Sequence, residues 1–381
     1  MKHPLFQRLT RIKQLGLTNV VYPGAQHTRF QHSLGAFHLT SEAILSLTQK
    51  GVFIFESEAE AVQSAILMHD IGHGPFSHVL ENTLIHGISH EEISLMMMNE
   101  INHDLGDNLT LAIKIFKDEY PKRFLHQLIS SQLDMDRLDY LRRDSFFTGV
   151  TEGNIGSARI IKMLNVVDDN LVVDSKGIYS IENYLTSRRL MYWQVYLHKT
   201  TVGYEKLLVN LLSRAKYLAD KGETVFATPA LHFFLYNHID KEAFVDDAEP
   251  LQHYKMLDDS DIWASVKAWT THRDPILSLL SRNLIDRRIF KVEVRSTAVE
   301  EAEVMDIRHQ IAQRYGLSFD DTAYLVNVST IRKDMYDIHD DHISILYKDG
   351  TIKDITEASE ILNISLLSKK ICKYYLCYQR F

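Results

Sequence analysis

The chain has 381 residues, of which 45% are hydrophobic and 24% charged, a balance typical of a soluble globular protein. With 42 Lys and Arg against 50 Asp and Glu, its net charge of −8 argues against general electrostatic binding to nucleic acid or anionic membranes. Two cysteines, Cys372 and Cys377, are too few for a secreted disulfide scaffold. No apolar run has the length of a signal peptide or a membrane span, so we expect a cytoplasmic protein with no membrane partner.

The first 285 residues are predicted to be mostly helical. Apolar residues recur at helical spacing over residues 28–49, and Gly51 follows as a stop signal. Ser57 and Glu60 have the spacing of a capping box and predict that the next helix starts there. The glycines of IGHG are predicted to end it, with Pro75 in the first turn of the following helix. Further amphipathic runs lie near residues 90–101, 122–144, 181–220, 229–238, 259–270 and 275–283.

The pattern changes after residue 285, where apolar and polar residues alternate as they do in strands. Asp349-Gly350 is a strong signal for a two-residue hairpin turn. The predicted strands are residues 289–294, 323–328, 343–347, 351–355 and 371–378. We therefore predict a mainly α fold, with a helical domain at 1–285 and a smaller α+β domain at 286–381. The acidic run 258–261 is interpreted as a solvated helix start.

The string HDIGHGPFSH at 69–78 is the strongest chemical signal. Adjacent helical residues point about 100° apart, so His69 and Asp70 can reach one ion only at a helix end or break, which IGHG supplies. A mixed imidazole–carboxylate set suits Fe, Mn, Zn, Co or Ni rather than Ca. Such a site needs further ligands, and the sequence offers His32 and Asp136 on separate predicted helices.

Five segments, in order, resemble one enzyme family. They are FQRLTRIKQLG (6–16), YPGAQHTRFQHSLG (22–35), HDIGHGPFSH (69–78), SHEE (89–92) and DMDRLDYLRRD (134–144). Together they look like the HD-domain deoxynucleoside triphosphate triphosphohydrolases, the group of the vertebrate sterile-alpha-motif/HD-domain dNTPase and bacterial dGTPase-like enzymes. The similarity covers residues 4–200 and implies an HD-domain helical bundle. Beyond residue 200 it is only general.

The resemblance also implies roles for particular residues. The superfamily's H…HD…D metal ligands fall on His32, His69, Asp70 and Asp136. The proton donor for the leaving group would be His78, with Glu81 three residues later on the same helical face as its carboxylate partner. The family usually has Asp at the position of Glu81. His90 is the competing acid.

The polyphosphate and the sugar need their own contacts. The implied substrate-binding residues are Gln14, Arg29, His73, Arg137, Tyr140, Asp144, Arg188 and Tyr196. The three arginines would neutralise phosphate charge, and Arg can bind phosphate bidentately. By resemblance, Gln14 touches the sugar 3′-hydroxyl. The resemblance also implies that Tyr196 packs against the deoxyribose, where its ring would crowd a 2′-hydroxyl.

The implied function is hydrolysis of deoxynucleoside triphosphates to deoxynucleoside and inorganic triphosphate by metal-activated water. A divalent metal at the HD site, Mg²⁺ arriving with the nucleotide, and a homo-oligomer (dimer or tetramer) are implied with it. Two alternatives stay open. One is an HD phosphohydrolase acting on another nucleotide: a nucleotidase, a cyclic-nucleotide phosphodiesterase or a guanosine-polyphosphate hydrolase. The other is a nucleotide-binding regulator without turnover, against which the intact ligand set argues.

Overall fold

The computed structural model describes residues 1–76, 78–81, 83–333, 336, 342–359 and 371–381, with the backbone alone at 78 and 333. Over these residues the chain is mainly helical with small sheets, which confirms the predicted fold class. The helices are α1 (Pro4–Gln7), α2 (Arg29–Gln49), α3 (Glu56–Met68), α4 (His78–Glu81), α5 (His90–Asp104), α6 (Thr110–Phe116), α7 (Arg123–Gln127), α8 (Met135–Thr148), α9 (Ser157–Met163), α10 (Ile178–Met191), α11 (Lys199–Asp220), α12 (Pro229–Tyr236), α13 (Lys241–Asp246), α14 (Glu249–Met256), α15 (Asp259–Trp269), α16 (Pro275–Ile285), α17 (Glu301–Tyr315) and α18 (Ile355–Ala358). The strands are β1 (Ile85–His86), β2 (Leu164–Val167), β3 (Asn170–Asp174), β4 (Ile239–Asp240), β5 (Lys291–Arg295), β6 (Val326–Lys333), β7 (Ser344–Leu346), β8 (Ile352–Asp354) and β9 (Ile371–Tyr378).

Helix α2 begins and ends where the sequence predicted. The backbone N–H of Thr28 donates to Oε1 of Gln31 at 2.9 Å, an N-terminal cap. Gly51, with φ of +91°, follows the helix in the left-handed conformation that glycine adopts without steric cost. Helix α2 packs against both α3 and α8.

The predicted start of α3 is wrong, because the capping pair is Phe55 and Glu58 rather than Ser57 and Glu60. The backbone N–H of Phe55 donates to Oε2 of Glu58 at 2.8 Å. Lys122 and the hydroxyl of Tyr120 hold the same buried carboxylate, at 2.7 and 2.6 Å. These contacts to Glu58 from a distant segment fix where the helix begins.

Two of the predicted helical runs are interrupted. Run 122–144 divides into α7 and α8, because Asp134 caps α8 by accepting from the backbone N–H of Arg137 at 2.6 Å. Run 181–220 divides into α10, a π-helix at Tyr192–Tyr196, and α11. Pro75 also does not open a helix: Phe76 has φ of +51°, and α4 starts only at residue 78.

Strands β2 and β3 lie in the region predicted to be helical. They pair with each other antiparallel, and β3 pairs in parallel with β7, which lies more than 150 residues further on. Hairpin β7–β8 then completes a four-stranded sheet around the predicted Asp349-Gly350 turn. Strands β5, β9 and β6 form an antiparallel sheet in that order. The predicted strand 323–328 starts late, since residues 320–325 form a 3₁₀ helix.

The apolar core joins both sides of the predicted boundary at 285/286. One cluster of buried residues contains Leu207 and Leu280 together with Leu325 and Leu376. The division into domains at residue 285 stays a prediction. Among the described helices, none is both long and apolar enough to cross a membrane.

The acidic run 258–261 does start a helix, α15, but its first two carboxylates are buried rather than solvated as predicted. Asp258 and Asp259 are only 6% and 7% exposed. Arg11 donates to Asp258 at 2.5 Å, and the backbone N–H of Lys13 donates to Asp259 at 3.1 Å. The run therefore fixes the N-terminal segment that leads to α2.

Candidate metal centre

The four predicted ligands meet where α2, α3 and α8 converge. The Nε2 atoms of His32 and His69 lie 3.3 Å apart. Oδ1 of Asp136 lies 3.0 Å from Nε2 of His32 and 3.5 Å from Nε2 of His69. Oδ1 of Asp70 lies 3.3 Å from Nε2 of His69. Each of the three helices positions ligands of this centre: His32 lies in α2, His69 directly follows α3, and Asp136 lies in the first turn of α8.

The other ring nitrogens of the two histidines are held by oxygen acceptors. Nδ1 of His32 lies 2.8 Å from Oδ2 of Asp139, and Nδ1 of His69 lies 2.6 Å from the carbonyl of Ile66. An acceptor at Nδ1 places the proton there and directs the lone pair of Nε2 to the opposite side. Two imidazole lone pairs and two carboxylates that face one another need a positive charge between them. This donor set fits a divalent transition-metal ion.

In the metal-free protein a proton competes for this position. Burial lowers the pKa of His32, but hydrogen bonds to Asp136 and Asp139 outweigh it, and the pKa lies well above its ordinary value. Burial similarly raises the pKa of Asp136, and the two histidines reverse that effect and lower it. A metal ion must therefore displace a proton from the imidazole, as is usual for histidine ligands.

Sequence reasoning missed the residues behind His32. Arg143 donates to both oxygens of Asp139, at 2.8 Å each, and so fixes the carboxylate that orients the imidazole. Gly35 makes room for this pair, because a Cβ at that position would lie 1.9 Å from Oδ1 of Asp139. The available signal was spacing: Asp139 follows Asp136 by three residues, and Gly35 follows His32 by three.

Arg29 lies beside the ligands. Its NH1 group donates to Oδ2 of Asp70 at 2.6 Å, and the residue is 8% exposed. Burial raises the pKa of Asp70, but the charges of His69 and Arg29 outweigh it and hold the pKa well below its ordinary value. The predicted phosphate-binding arginine is thus already placed within contact distance of a predicted ligand.

A second group of side chains adjoins the first. Nε2 of His73 lies 3.3 Å from Oδ1 of Asp70, and the rings of His73 and His90 stack with centroids 3.8 Å apart. Oε1 of Glu81 lies 3.2 Å from Nδ1 of His90. Burial lowers the pKa of His73 to about 3, which makes it neutral at pH 7. His73, Glu81 and His90 are also close enough together to hold a cation.

The predicted pairing of His78 with Glu81 falls outside the described residues, because nothing is described of the His78 side chain. Among the described residues, the Glu81 carboxylate contacts His90 instead. That histidine is the first residue of α5, where Ser89 and Glu92 form a reciprocal capping box at 3.0 and 3.2 Å. The SHEE string therefore fixes the position of His90.

The IGHG break is held by contacts from distant segments. The backbone N–H of Gly72 donates to the hydroxyl of Ser94 at 2.9 Å, and that hydroxyl donates to the carbonyl of His69 at 2.8 Å. The hydroxyl of Tyr254 donates to the carbonyl of Gly72 at 2.7 Å. These bonds satisfy backbone N–H and C=O groups that have no partner within a helix, because α3 ends here.

The predicted phosphate-binding residues of α8 and α10 cluster around Tyr140. Arg137 pairs with Asp134, and NH1 of Arg188 donates to Oε1 of Gln132 at 3.0 Å. Burial raises the pKa of Tyr140 well above its ordinary value, although the nearby charges of Arg188 and Arg137 act in the opposite sense. The Tyr140 ring centroid lies 6.5 Å from that of His32, so this cluster adjoins the metal ligands.

The predicted sugar residues form a connected network next to Tyr140. The Tyr196 ring, at the end of the π-helix, lies 6.1 Å from that of Tyr140. The hydroxyl of Tyr196 donates to Oδ2 of Asp144 at 2.8 Å. The other oxygen of Asp144 contacts His27, a residue that sequence reasoning missed, at 2.7 Å. The backbone N–H of Gln14 donates to the carbonyl of His27 at 3.0 Å.

Comparison with known proteins identifies the family of the chain. The HD domain model matches residues 29–144, and the HD associated region model matches residues 155–224. The crystal structure of a phosphohydrolase from Bacteroides thetaiotaomicron VPI-5482 superimposes with a TM-score of 0.97 at 65% identity, covering 100% of this chain and 94% of that one. The YwfO protein of Bacillus subtilis (strain 168) is 34% identical over 98% of this chain and 86% of its own length.

The chain belongs to the HD-domain phosphohydrolase family, whose members are hydrolases that bind divalent metals. The matched HD region begins at Arg29 and ends at Asp144, and includes all four predicted ligands. A deoxynucleoside triphosphate triphosphohydrolase SAMHD1 homolog of Dictyostelium discoideum is 33% identical over 55% of this chain. The aligned part covers 44% of that longer relative.

Proposed function

We propose that the protein hydrolyses deoxynucleoside triphosphates to a deoxynucleoside and inorganic triphosphate. The observation that carries the proposal is the juxtaposition of the metal centre with the arginine cluster around Tyr140 and the Asp144–Tyr196 pair. A triphosphate and a sugar, bound side by side, would match these two neighbouring sets of contacts. The name of the Dictyostelium relative supports the same substrate class.

His32, His69, Asp70 and Asp136 would hold one divalent ion, which we propose to be Fe, Mn, Zn, Co or Ni. Bound there, it would supply positive charge beside the α-phosphate and make the attacking water more acidic. Asp139 and Ile66 would keep the two imidazoles oriented. Mg²⁺ would accompany the nucleotide as its usual counterion.

Arginine side chains would neutralise the triphosphate. Arg29 contacts the proposed ligand Asp70, and the charges of Arg137 and Arg188 act on nearby Tyr140, so we propose that the three contact successive phosphates. Guanidinium groups stay charged at all physiological pH values and bind phosphate oxygens bidentately. Holding the phosphates in this way would fix the α-phosphorus next to the metal centre.

The leaving group requires a proton. Water forms the new bond to the α-phosphorus, the bond from phosphorus to the sugar 5′ oxygen breaks, and that oxygen takes up a proton. Glu81 holds Nδ1 of His90 and orients the ring, and we assign the donation to Nε2 of His90. The donor predicted from the sequence, His78, is the competing assignment. His73, neutral and stacked on His90, would contact the phosphate.

The sugar would lie against Tyr196, with Asp144 and Gln14 near its hydroxyl groups. Oε1 of Gln14 is buried and has no hydrogen-bond partner within the described part of the chain. A buried acceptor without a partner costs free energy, which a sugar hydroxyl would recover. An aromatic ring against the 2′ position would favour the deoxy sugar over the ribose.

A product survey tests the proposal. Purified protein with Mn²⁺, Co²⁺ or Mg²⁺ is given each dNTP, the matching NTPs, nucleoside monophosphates, cyclic nucleotides and guanosine polyphosphates. We expect inorganic triphosphate from at least one dNTP. Asp136→Ala should abolish both metal retention and turnover, whereas Asp174→Asn, a carboxylate paired with Lys50 outside the proposed site, should keep both. Activity only on the other substrates would contradict the proposal.

The proposed assembly is a dimer or a tetramer of this chain, as in the enzymes it resembles. Light scattering of the metal-loaded protein, with and without dNTP, measures the mass directly. A monomer at all concentrations would contradict this part of the proposal without affecting the proposed reaction.

A further inference from the structure

We propose that His27 is a positioning residue that sets the selectivity for the deoxy sugar. The inference rests on the proposed function, since Asp144, Tyr196 and Gln14 are the proposed sugar residues. His27 contacts two of these three residues and reaches the third through Asp144. No role was predicted for it from the sequence.

The side-chain contact is buried and short. Nε2 of His27 donates to Oδ1 of Asp144 at 2.7 Å, and the two side chains are 0% and 1% exposed. The hydroxyl of Tyr196 occupies the other oxygen of the same carboxylate. Asp144 is thus held from both sides, and its orientation determines where the Tyr196 hydroxyl lies.

The backbone contact fixes Gln14. The carbonyl of His27 accepts the N–H of Gln14 at 3.0 Å, and the N–H of Arg29 donates to the carbonyl of Ile12 at 3.0 Å. Lys13 and Thr28 form an antiparallel bridge between these bonds. The two segments therefore move together, and the ring of His27 anchors them to α8 through Asp144.

Stability alone does not explain a histidine here. The ring stacks on Phe147 with centroids 4.4 Å apart, a contact that Phe at position 27 could also make. Nδ1 is buried and has no hydrogen-bond partner among the described residues, which costs free energy. Within the described residues, the bond to Asp144 is the one polar contact that the ring makes. The presence of a histidine at position 27 is therefore explained by the positioning of Asp144.

Loss of this bond should therefore affect sugar recognition and leave phosphate binding and chemistry in place. His27→Phe keeps the stack on Phe147 and removes the donor. We expect KM for a dNTP to rise about 10- to 100-fold, the effect of losing one hydrogen bond to a charged group, with a much smaller change in kcat. The preference for dNTP over the matching NTP should fall.

The experiment compares His27→Phe, His27→Asn and His27→Gln as full-length, metal-loaded protein. The Gln amide can reach the position of Nε2 and should retain the preference, whereas the shorter Asn should lose it. His126→Phe is the matched control, because it removes a histidine of α7 that is bonded to the carbonyl of Ile115, outside the proposed site. Kinetics, metal content and thermal midpoint are measured for each variant.

The outcomes separate the inference from the proposed function. If the wild type releases no triphosphate from any dNTP, the proposed function fails, and the inference with it. If the wild type is active but both the Phe and Asn variants keep KM and the deoxy preference within about twofold, the inference is overturned. Equal loss of preference in His27→Gln also overturns it, because the bond would not be the cause. Should His27→Phe fail to fold, the Asn and Gln pair decides.

Discussion

Replacing Asp259 by Asn should change the pH dependence of stability. The residue is 7% exposed at the start of α15 and accepts the backbone N–H of Lys13 at 3.1 Å through Oδ2. Its Oδ1 is buried with no hydrogen-bond partner in the described residues. Burial raises the pKa of Asp259 from an ordinary 3.8 to about 6. Asn removes the charge and can still accept the Lys13 N–H.

The magnitude follows from that difference in pKa. At about 1.36 kcal/mol per pH unit, a difference of about 2 corresponds to about 3 kcal/mol. Below pH 3.8 the carboxyl is protonated in both states and costs nothing. As the pH rises towards 6, the unfolded chain ionises first, so stability falls. Above pH 6 the folded wild type carries the whole penalty, and the Asn variant does not titrate.

Urea unfolding of both proteins in chelator, from pH 4 to pH 7.5, measures this effect. The free energy of unfolding of Asp259→Asn relative to wild type should rise by about 2.4 kcal/mol across that range, because the unfolded wild type is already partly ionised at pH 4. The amide hydrogens of Asn add a cost that does not depend on pH and shifts the whole curve equally. A difference that stays flat between pH 4 and pH 7.5 would refute the reasoning.

Three further predictions concern the metal centre. Asp139→Asn should weaken metal affinity about 10- to 100-fold in a Mn²⁺ or Co²⁺ titration, because the acceptor behind His32 loses its charge; unchanged affinity would mean that this contact does not orient the ligand. His90→Gln should lower kcat about 100-fold or more with metal content unchanged, and near-normal kcat would favour His78 as the donor. Gly35→Ala would place a Cβ 1.9 Å from Oδ1 of Asp139, so metal content and thermal midpoint should both fall. If neither falls, α2 and α8 can separate at no cost.

Much of the helical framework could be predicted from local patterns. The apolar spacing and Gly51 gave the bounds of α2, and strand β9 lies where alternation predicted it. The boundaries and strands that were predicted wrongly depend on partners that are distant in the sequence. Lys122 and Tyr120 hold the Glu58 cap, and β3 needs β7 as a neighbour. Such contacts have no signature in a short stretch of sequence.

The candidate site was predictable only in part, for the same reason. The four proposed ligands came from a recognised string pattern, and the structure brings them together. Asp139 and His27 act through a ligand or a substrate residue, so only their spatial neighbours reveal them. The acidic pair Asp258–Asp259 was interpreted as solvated because charge runs usually are. Its burial results from segment 8–14, which lies about 250 residues away in the sequence.

Hydrolysis in ¹⁸O-labelled water tests the central claim most directly. The metal-loaded protein is given a dNTP in labelled water, and the products are analysed by mass spectrometry, with Asp136→Ala as the inactive control. Attack of water at the α-phosphorus should place one ¹⁸O in the released inorganic triphosphate and none in the deoxynucleoside. Label in the deoxynucleoside, or release of pyrophosphate with a nucleoside monophosphate, would contradict the account.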